Sequence, residues 1–568
     1  MAFDGFVTKS VISELKNSIV GAKINKVFEP TKNEIVLGLY NNGINYGLEL
    51  CVNPEFCRIC LTTHSKPNPQ NAYNFCMLLR KYLIGGKIIN ISNYDLERTV
   101  EIQFECYNDF NDLVVRKLFV EIMSRQSNII LTNEKNIIID TLKHSNNSRE
   151  LLPAHEYTFT PINKTSFIKL NTFDKFYSKI KDSLNENNLS KILQDTFIGF
   201  SKPFIKESLN ILKISENDYT EENLKTLYNY IKEIISNMGT DKIVCKQISS
   251  KDYTIVLKSD SENTNNLQIN YFIDDFYYNK EKNSLFTNSR NNLLKIVSST
   301  LKKVYKKLEN INSKLKECEN KDKFRLYGEL LTANLYKIDT NSNLTEITVE
   351  NYYDENKPIT IPLDKSISIH KNVEKYFKKY NKLKNALVIV SEQKKEAEKE
   401  LDYIESIVFS LSNARTLNDI NGIYEEISEN VTTKKALSKT SKNKSHNKNS
   451  DIMKLDYTNI DGFTIYIGKN NIQNDYISLK LSNPNDIWFH TQKIHGSHVL
   501  LRNPENLEID EIPENVLFNC ARLAKENSKA STSLNICVDY CYAKFVKKTS
   551  GSKPGMVIYN NFKTIIVK

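Results

Sequence analysis

Residues 294–318 read LKIVSSTLKKVYKKLENINSKLKEC, and residues 373–411 read VEKYFKKYNKLKNALVIVSEQKKEAEKELDYIESIVFSL. In the first stretch apolar residues recur at Val297, Leu301, Val304, Leu308, Ile311, Leu315 and Cys318. In the second they recur at Val373, Tyr376, Tyr380, Leu383, Leu387 and Val390. Lys394 breaks the series, which resumes at Ala397, Leu401, Ile404, Val408 and Leu411. Steps alternating between three and four residues, with Lys and Glu in the gaps, are the pattern of a coiled coil. The segment between the two stretches is long enough for one helix to run out, a small tip to form and the other helix to return antiparallel. A helix of about forty residues is about 60 Å long, so such an arm would hold two bodies far apart. The same stripe could also serve a compact helical bundle, but the dense charge on the remaining faces leaves little surface for further burial.

Outward from this arm, placed at 291–411 with its tip at 339–370, the chain divides by pattern. Residues 1–165 read as one α+β unit. Helical spacing covers Ser10–Val20. Strand-like runs follow at Lys23–Phe28, Glu34–Tyr40, Asn45–Cys51 and Cys57–Leu61, with Asn42-Gly43 as a hairpin turn signal. A helix over 71–84, stopped at Gly85-Gly86, precedes further strands at Lys87–Ser92, Thr99–Cys106, Leu113–Met123 and Asn128–Thr132. The pattern predicts a mixed sheet with two packed helices. Residues 166–240 read as helical. Phe197-Ile198-Gly199-Phe200-Ser201 there is either a helix C-cap or a turn that lets backbone approach a phosphate, as in helix–hairpin–helix modules. Residues 241–290 read as short alternating strands continuing the N-terminal part.

Beyond the arm, 412–451 reads as a flexible linker. Residues 431–450 carry six lysines and no acid, a composition that cannot bury a core. A last α+β domain spans 452–568. Its expected strands lie near Thr464–Ile467, Tyr476–Leu479, Asp486–Phe489, His498–Leu501, Ser533–Tyr540 and Met556–Tyr559, with a helix at Glu514–Ser528.

The chain has 568 residues, enough for several domains, and a formal charge of +10, the sign expected of a binder of nucleic acid or another anionic surface. Asp4, Lys9, Glu14 and Lys16 interrupt the first twenty residues, which excludes the apolar core of a signal peptide, and no apolar run is long enough to span a membrane. Ten scattered cysteines suit a reducing cytosol. Cys57-x-x-Cys60 lacks a second pair at finger-like spacing, so buried thiols are favoured over a metal site.

An enzyme's signatures are missing. The sequence holds no phosphate-cradling P-loop, no dinucleotide-binding glycine motif after a strand and no zincin motif. His490, His495 and His498 could in principle meet at a metal, but no acidic partner stands at fixed spacing, and contact with nucleic acid or plain packing is favoured. No catalytic residue, cofactor or metal is expected. Four stretches instead suit RNA. Arg80-Lys81 lies on a helix. Glu97-Arg98 closes a turn. Arg125 sits beside Gln126, Ser127 and Asn128. Lys544 to Lys553 interleaves Lys547, Lys548 and Lys553 with Phe545 and Gly551. Lysines beside an aromatic ring suit a phosphate backbone carrying an unstacked base.

These blocks also resemble a known family. Met1-Ala-Phe-Asp4-Gly5, Cys76-Met-Leu-Leu-Arg80-Lys81 before Gly85-Gly86, Glu121-Ile-Met-Ser-Arg125-Gln-Ser127-Asn128, and Arg325 to Tyr336 on the arm are similar to the NFACT family. So are Gly468-Lys469-Asn470-Asn471, Asp486-Ile-Trp488-Phe-His490, Gly496-Ser497-His498 and Lys553-Pro554-Gly555 in the last domain. The resemblance runs nearly the whole length. It implies an α+β multidomain fold: a MutM-like N-terminal domain, a helix–hairpin–helix-like helical domain, a long antiparallel coiled-coil arm and a C-terminal α+β RNA-binding domain. It implies a cytoplasmic ribosome quality-control factor rather than an enzyme. Such a factor binds large ribosomal subunits still holding peptidyl-tRNA and recruits tRNA, alanyl-tRNA in bacteria. The stalled chain then grows a template-free alanine tail that marks it for proteolysis, with peptide bonds made by the ribosome. The implied partners are that subunit, tRNA, rRNA and a small RNA-binding helper protein, with no membrane. The implied tRNA-binding residues are Asp4, Glu97, Arg98, Arg125, Arg80 and Lys81; those of the C-terminal domain are Lys469, Trp488, His490, His498, Lys547, Lys548 and Lys553. Two departures stand out: Glu97 where the family carries Asp, and His495 where Pro usually precedes Gly-Ser-His. Asp4 and Glu97 could equally serve ion pairs within their own domain. A fibronectin-binding surface adhesin is the alternative function, separable by cell fractionation. A DNA glycosylase is a third, which the residues exposed after the first methionine do not favour.

Overall fold

The computed structural model describes residues 2–568 apart from 147–148, 161–162, 185–187, 218, 259–268, 339–343 and 431–454. The basic linker expected at 431–450 therefore lies outside the described residues. The chain forms two compact units, Met1–Ser284 and Leu285–Lys568.

The first unit is built on helices α1 (Gly5–Ile19) and α2 (Asn74–Leu83) and on strands β1 (Lys23–Thr31), β2 (Glu34–Asn41), β3 (Ile44–Cys51), β4 (Arg58–Thr62), β5 (Lys87–Asn93), β6 (Thr99–Tyr107), β7 (Leu113–Glu121), β8 (Asn128–Asn133) and β9 (Ile138–Thr141). These make a nine-stranded sheet in the order β4-β3-β2-β1-β5-β6-β7-β8-β9. Every pairing is antiparallel, so the expected mixed sheet is corrected. The reason is local. Short turns join β1 to β4 and β5 to β9 as successive hairpins, and only the β1–β5 neighbours are linked through α2. Asn42 and Gly43 both take positive φ, 49° and 84°, the geometry of a tight hairpin turn. Alternate residues of β6 are buried, and α1 lays Phe6, Val7, Val11, Ile12, Leu15 and Ile19 into the same core.

Helices α3 (Phe173–Ile180), α4 (Leu189–Thr196), α5 (Lys202–Leu212) and α6 (Glu221–Asn237) follow. They join that core through stacked aromatics: Phe6 lies 3.8 Å from Phe204 and Phe176 5.5 Å from Phe197. Strands Ile243–Gln247 and Tyr253–Leu257 form a hairpin, but helix α7 (Ile269–Glu319) begins where further strands were expected. Ile269, Ile273, Phe276 and Tyr277 are buried at helical spacing, and that period overrides the strand preference of aromatic side chains. The Glu14 carboxylate of α1 accepts the backbone N–H groups of Ile269 and Asn270 at 2.8 and 3.0 Å, which satisfies the first turn of α7. Asn270 and Asp274 in turn accept N–H groups of Leu61 and Thr63, at the free edge of β4, at 3.1 and 2.8 Å. Beside them Arg58, 1% exposed, holds Glu49 at 2.7 Å and Glu281 at 2.7 Å, while Lys66 joins Glu34, Glu49 and Glu281.

In the second unit α7 pairs with α9 (Ile369–Asn413), and α8 (Lys321–Ala333) continues the outgoing limb after a break at Asn320. The direction is antiparallel: Arg290 donates to the carbonyl of Leu411, Tyr305 to Glu405, Lys307 to Glu400, and further out Phe324 stacks near Tyr376. Val297, Val304, Leu308 and Ile311 form the seam with Val390, Ala397, Ile404 and Leu411, as the heptads require. Gly328 is a point of close approach, because a Cβ there would stand 2.9 Å from the Phe377 ring. At the tip, strands Glu346–Asn351 and Lys357–Pro362 make a hairpin over Tyr327, Leu330 and Leu331.

Helix α10 (Leu417–Asn430) precedes a six-stranded antiparallel sheet of Asp456–Ile460, Phe463–Ile467, Val499–Leu501, Ile487–Thr491, Ile536–Tyr542 and Lys563–Val567, in that spatial order. Helix α12 (Glu514–Glu526) covers one face through Val516, Cys520, Ala521 and Ala524. The other face carries Trp488, Leu500 and Cys541. The strand expected at Tyr476–Leu479 is instead helix α11 (Asn471–Tyr476), running on into a wide turn at Ile477–Leu481. Asn470 caps it by accepting the N–H of Gln473 at 2.8 Å.

Candidate functional site

Asp4 stands at the N-terminus of α1 and is 3% exposed. One carboxylate oxygen accepts the N–H of Val7 at 2.9 Å, and the other accepts the hydroxyl of Ser201. Ser201 caps α5 at the same time, accepting the N–H of Phe204 at 3.2 Å. One short hydrogen bond thus joins the starts of two helices that lie far apart in sequence. Burial pushes the Asp4 carboxyl up to about 6, against the lowering pull of Ser201 and Val7.

Backbone contact fixes the rest. The N–H of Gly5 donates to the carbonyl of Gly199 at 3.1 Å. A Cβ on Gly5 would sit 2.0 Å from the carbonyl oxygen of Leu96, and one on Gly199 would sit 2.5 Å from the same atom. Gly199 also has φ +82°, a conformation glycine adopts freely. The turn at 197–201 therefore serves close packing against the β5–β6 loop. That packing carries Glu97 and Arg98 to Asp4. The three line a cleft of about 300 Å³ with Lys164, Gln194 and Ser201. Burial raises the Glu97 carboxyl while the neighbouring Arg98 opposes the shift. The cleft offers a guanidinium and an ammonium for phosphate oxygens and the Glu97 carboxyl for base edges or 2′-hydroxyls, while Asp4, buried and bonded through both oxygens, holds the starts of α1 and α5 together beneath them.

The other N-terminal candidates lie elsewhere. Arg125 is exposed on a short turn, two residues from Met123 in the cleft wall. Arg80 is half-buried and donates to the carbonyl of Val27 at 3.0 Å, so its guanidinium ties α2 to β1. Lys81 is exposed, with Asp109 at 3.5 Å. Sequence reading missed Ser201, although a Ser followed by Lys-Pro is an N-cap signal.

In the C-terminal domain the expectation of direct RNA contact is corrected for two residues. Trp488 is wholly buried, its Nε1–H donating to the hydroxyl of Ser478 at 2.9 Å, so no base can stack on it. His498 is 2% exposed, with Nδ1 2.7 Å from the same hydroxyl, and burial holds its pKa well below the usual histidine range. Both are core. Lys469 lies 2.5 Å from Asp456, and Lys548 pairs with Asp475. Lys547 and Lys553 are exposed, Lys553 reaching the carbonyl of Asn430 at 3.2 Å. His490 is partly buried and lines a second cleft.

Cys57 and Cys60 are buried free thiols. Among the described residues the one group with metal-like convergence is Glu49, Cys60 and Asp274. Arg58 and Lys66 already engage Glu49, and the N–H of Thr63 engages Asp274.

Residues 4–448 match the NFACT N-terminal and middle domains, and residues 453–561 match the NFACT protein RNA binding domain. Over 582 residues the chain is 34% identical to the Rqc2 homolog RqcH of Bacillus subtilis, covering 100% of this chain and 98% of the relative. It is 32% identical over 575 residues to the Rqc2 homolog RqcH of Streptococcus suis, again covering 100% and 98%. The N-terminal part of the fibronectin/fibrinogen-binding protein from Streptococcus suis, a solved structure, matches with a TM-score of 0.40 and 27% identity over 49% of this chain and 100% of that one. Among the described residues no helix is long and apolar enough to cross a membrane.

Proposed function

The chain belongs to the NFACT family, and from that premise we propose that it is a ribosome quality-control factor that binds obstructed large ribosomal subunits and recruits tRNA to them. The tRNA is alanyl-tRNA, and the product is a template-free alanine tail that marks the stalled chain for proteolysis. The ribosome's own centre makes the peptide bonds, and this protein positions the substrate. A small RNA-binding helper protein acts beside it. The work is done in the cytoplasm.

The observation that carries the reading is the convergence of Asp4, Glu97 and Arg98 at one cleft, from two places ninety-odd residues apart in sequence. Backbone contacts between Gly5, Leu96 and Gly199 set this arrangement, so it holds with Glu97 in place of the family's Asp. The longer Glu side chain reaches the cleft from the same loop. In this reading Arg98 meets tRNA phosphate, Glu97 meets base edges or 2′-hydroxyls, and Asp4 positions the cleft from below through Val7 and Ser201.

The test is recovery of the tagged full chain from growing cells at low salt, with sequencing of every bound RNA. Large-subunit rRNA with one or two enriched tRNA species supports the reading and names the amino acid. Arg98→Ala should keep the rRNA and lose the tRNA. Recovery without rRNA or tRNA overturns it.

A further inference from the structure

Strand Ile487–Thr491 brings Trp488 and His490 to one face of the C-terminal sheet. The two rings lie 5.7 Å apart and close to parallel, at 21°, while His490 meets His498 edge-on at 5.2 Å. The Ser478 hydroxyl accepts the Trp488 N–H and lies 2.7 Å from Nδ1 of His498. Those two polar groups are satisfied inside the core. His490 is different. Among the described residues neither of its ring nitrogens has a hydrogen-bond partner, and the ring forms the floor of a cleft of about 410 Å³.

The walls of the cleft suit a particular ligand. Tyr559 offers a second aromatic ring. Asn471 and Ser406, the latter from the base of α9, also line it; the Asn471 amide donates to Ser406 and Glu426 and so holds the wall in place rather than facing a ligand. Lys493 stands at the rim on an exposed turn with φ +55°, where glycine would be the unstrained residue. Asp402, also from α9, stands 3.3 Å from His495 at the same cleft. A volume of this size falls in the range of small-ligand sites, about 300–1,000 Å³.

We propose that this cleft binds one unpaired nucleotide, with its base against the ring of Tyr559, its edge toward the ring nitrogens of His490 and its phosphate at Lys493. The inference rests on the RNA-binding reading of the C-terminal domain and adds the site and the ligand class. Burial lowers His490 to about 4. The ring is therefore neutral at physiological pH and carries one donor and one acceptor, the pair needed to read the edge of a base. An aromatic face takes any base, so the cleft selects unpaired over paired nucleotides more strongly than it selects sequence.

The chain contains one tryptophan, Trp488, and its ring lies against His490, so its emission reports on the cleft without a label. The experiment titrates the full chain with nucleosides, nucleoside 5′-monophosphates, a short single-stranded RNA and a blunt RNA duplex of the same length, reading Trp488 fluorescence. Anisotropy of end-labelled RNA is followed in parallel. Single-stranded RNA should give a saturable emission change that the duplex does not. Lys493→Gly removes the ammonium and relieves the backbone. It should weaken monophosphate binding by about tenfold and leave nucleoside binding unchanged. His490→Phe keeps a ring and removes the polar edge, and should weaken nucleoside and monophosphate alike. A saturable response to monophosphates but none to single-stranded RNA would assign the cleft to free nucleotides. If labelled RNA binds while Trp488 emission stays flat and both variants bind as the parent does, the cleft is not the nucleotide site, though the domain still binds RNA. If no RNA binds at all, the RNA-binding reading falls and this inference with it.

Discussion

Replacing Asp4 with asparagine removes the ability of that side chain to ionise and leaves one acceptor oxygen where the carboxylate has two. Asparagine is as good an N-cap as aspartate, and its carbonyl oxygen can still accept either from Val7 or from Ser201. In the unfolded chain the Asp4 carboxyl titrates near 3.8; in the fold burial moves it to about 6. The folded state therefore holds the proton more tightly. The stability this group contributes is full below the unfolded value and is lost as pH rises through the folded one. A gap of about two pH units corresponds to about 3 kcal/mol. Between pH 4 and pH 8 the wild type should lose that amount more than Asp4→Asn does. Urea unfolding of both proteins at each pH isolates the difference, because the second unit contributes equally to both. From pH 4 to pH 8 the difference should swing by about 2–3 kcal/mol in the variant's favour, while tRNA recovery in cells falls. A stability difference that does not vary with pH, or that shifts toward the wild type as pH rises, refutes the account of Asp4 as a buried carboxylate held at the expense of stability.

Gly5→Ala alters no polar side chain, yet its Cβ would stand 2.0 Å from the carbonyl oxygen of Leu96. It should destabilise by about 2–3 kcal/mol and push the Glu97-Arg98 loop out of place, so thermal melting and tRNA recovery should fall together. Arg58→Met removes the buried guanidinium shared by Glu49 and Glu281 and leaves Lys66 as their remaining cation, so a loss of about 2–3 kcal/mol in urea unfolding is expected. In the second unit, burial raises Glu426 to about 7, with Tyr403 and Asn471 donating to it at 2.9 and 2.8 Å. Its stabilising contribution is present below pH 4.5 and lost as pH rises through 7, so Glu426→Gln should flatten the pH–stability curve between pH 5 and pH 8, as melting temperatures across that range would record.

The heptads of α7 and α9 were legible because a period survives without knowledge of its partner. Alternation revealed the N-terminal strands for the same reason. What periodicity could not reveal is which distant residues meet. Asp4, Leu96 and Gly199 come together through backbone contact, and the space left by two missing Cβ atoms has no signature in local pattern. The start of α7 was read as strand because Tyr271, Phe272 and Phe276 favour sheets, while the helical spacing of Ile269, Ile273 and Tyr277 decides the outcome. Trp488 enters the expected RNA-binding set through the family resemblance of Asp486-Ile-Trp488-Phe-His490. Its neighbours Ile487 and Phe489 gave the better signal, since an unbroken apolar run marks a strand covered on both faces, here by the cores on either side of the sheet.

The pairing of Asn270 and Asp274 with the outer edge of β4 has a consequence beyond anchoring a helix. An open sheet of nine strands has two rims, and an unpaired rim is a template for any extended chain that comes near. Here one rim has two of its N–H groups taken by side chains of α7. At the other rim Ile138 of β9 bonds to the backbone of Ala154 and His155. A factor proposed to work beside unfinished, unfolded polypeptide would meet extended chain constantly. With both borders occupied from within, its largest sheet is poorly suited to capturing that chain as a further strand, and it can stand among aggregation-prone material without seeding it.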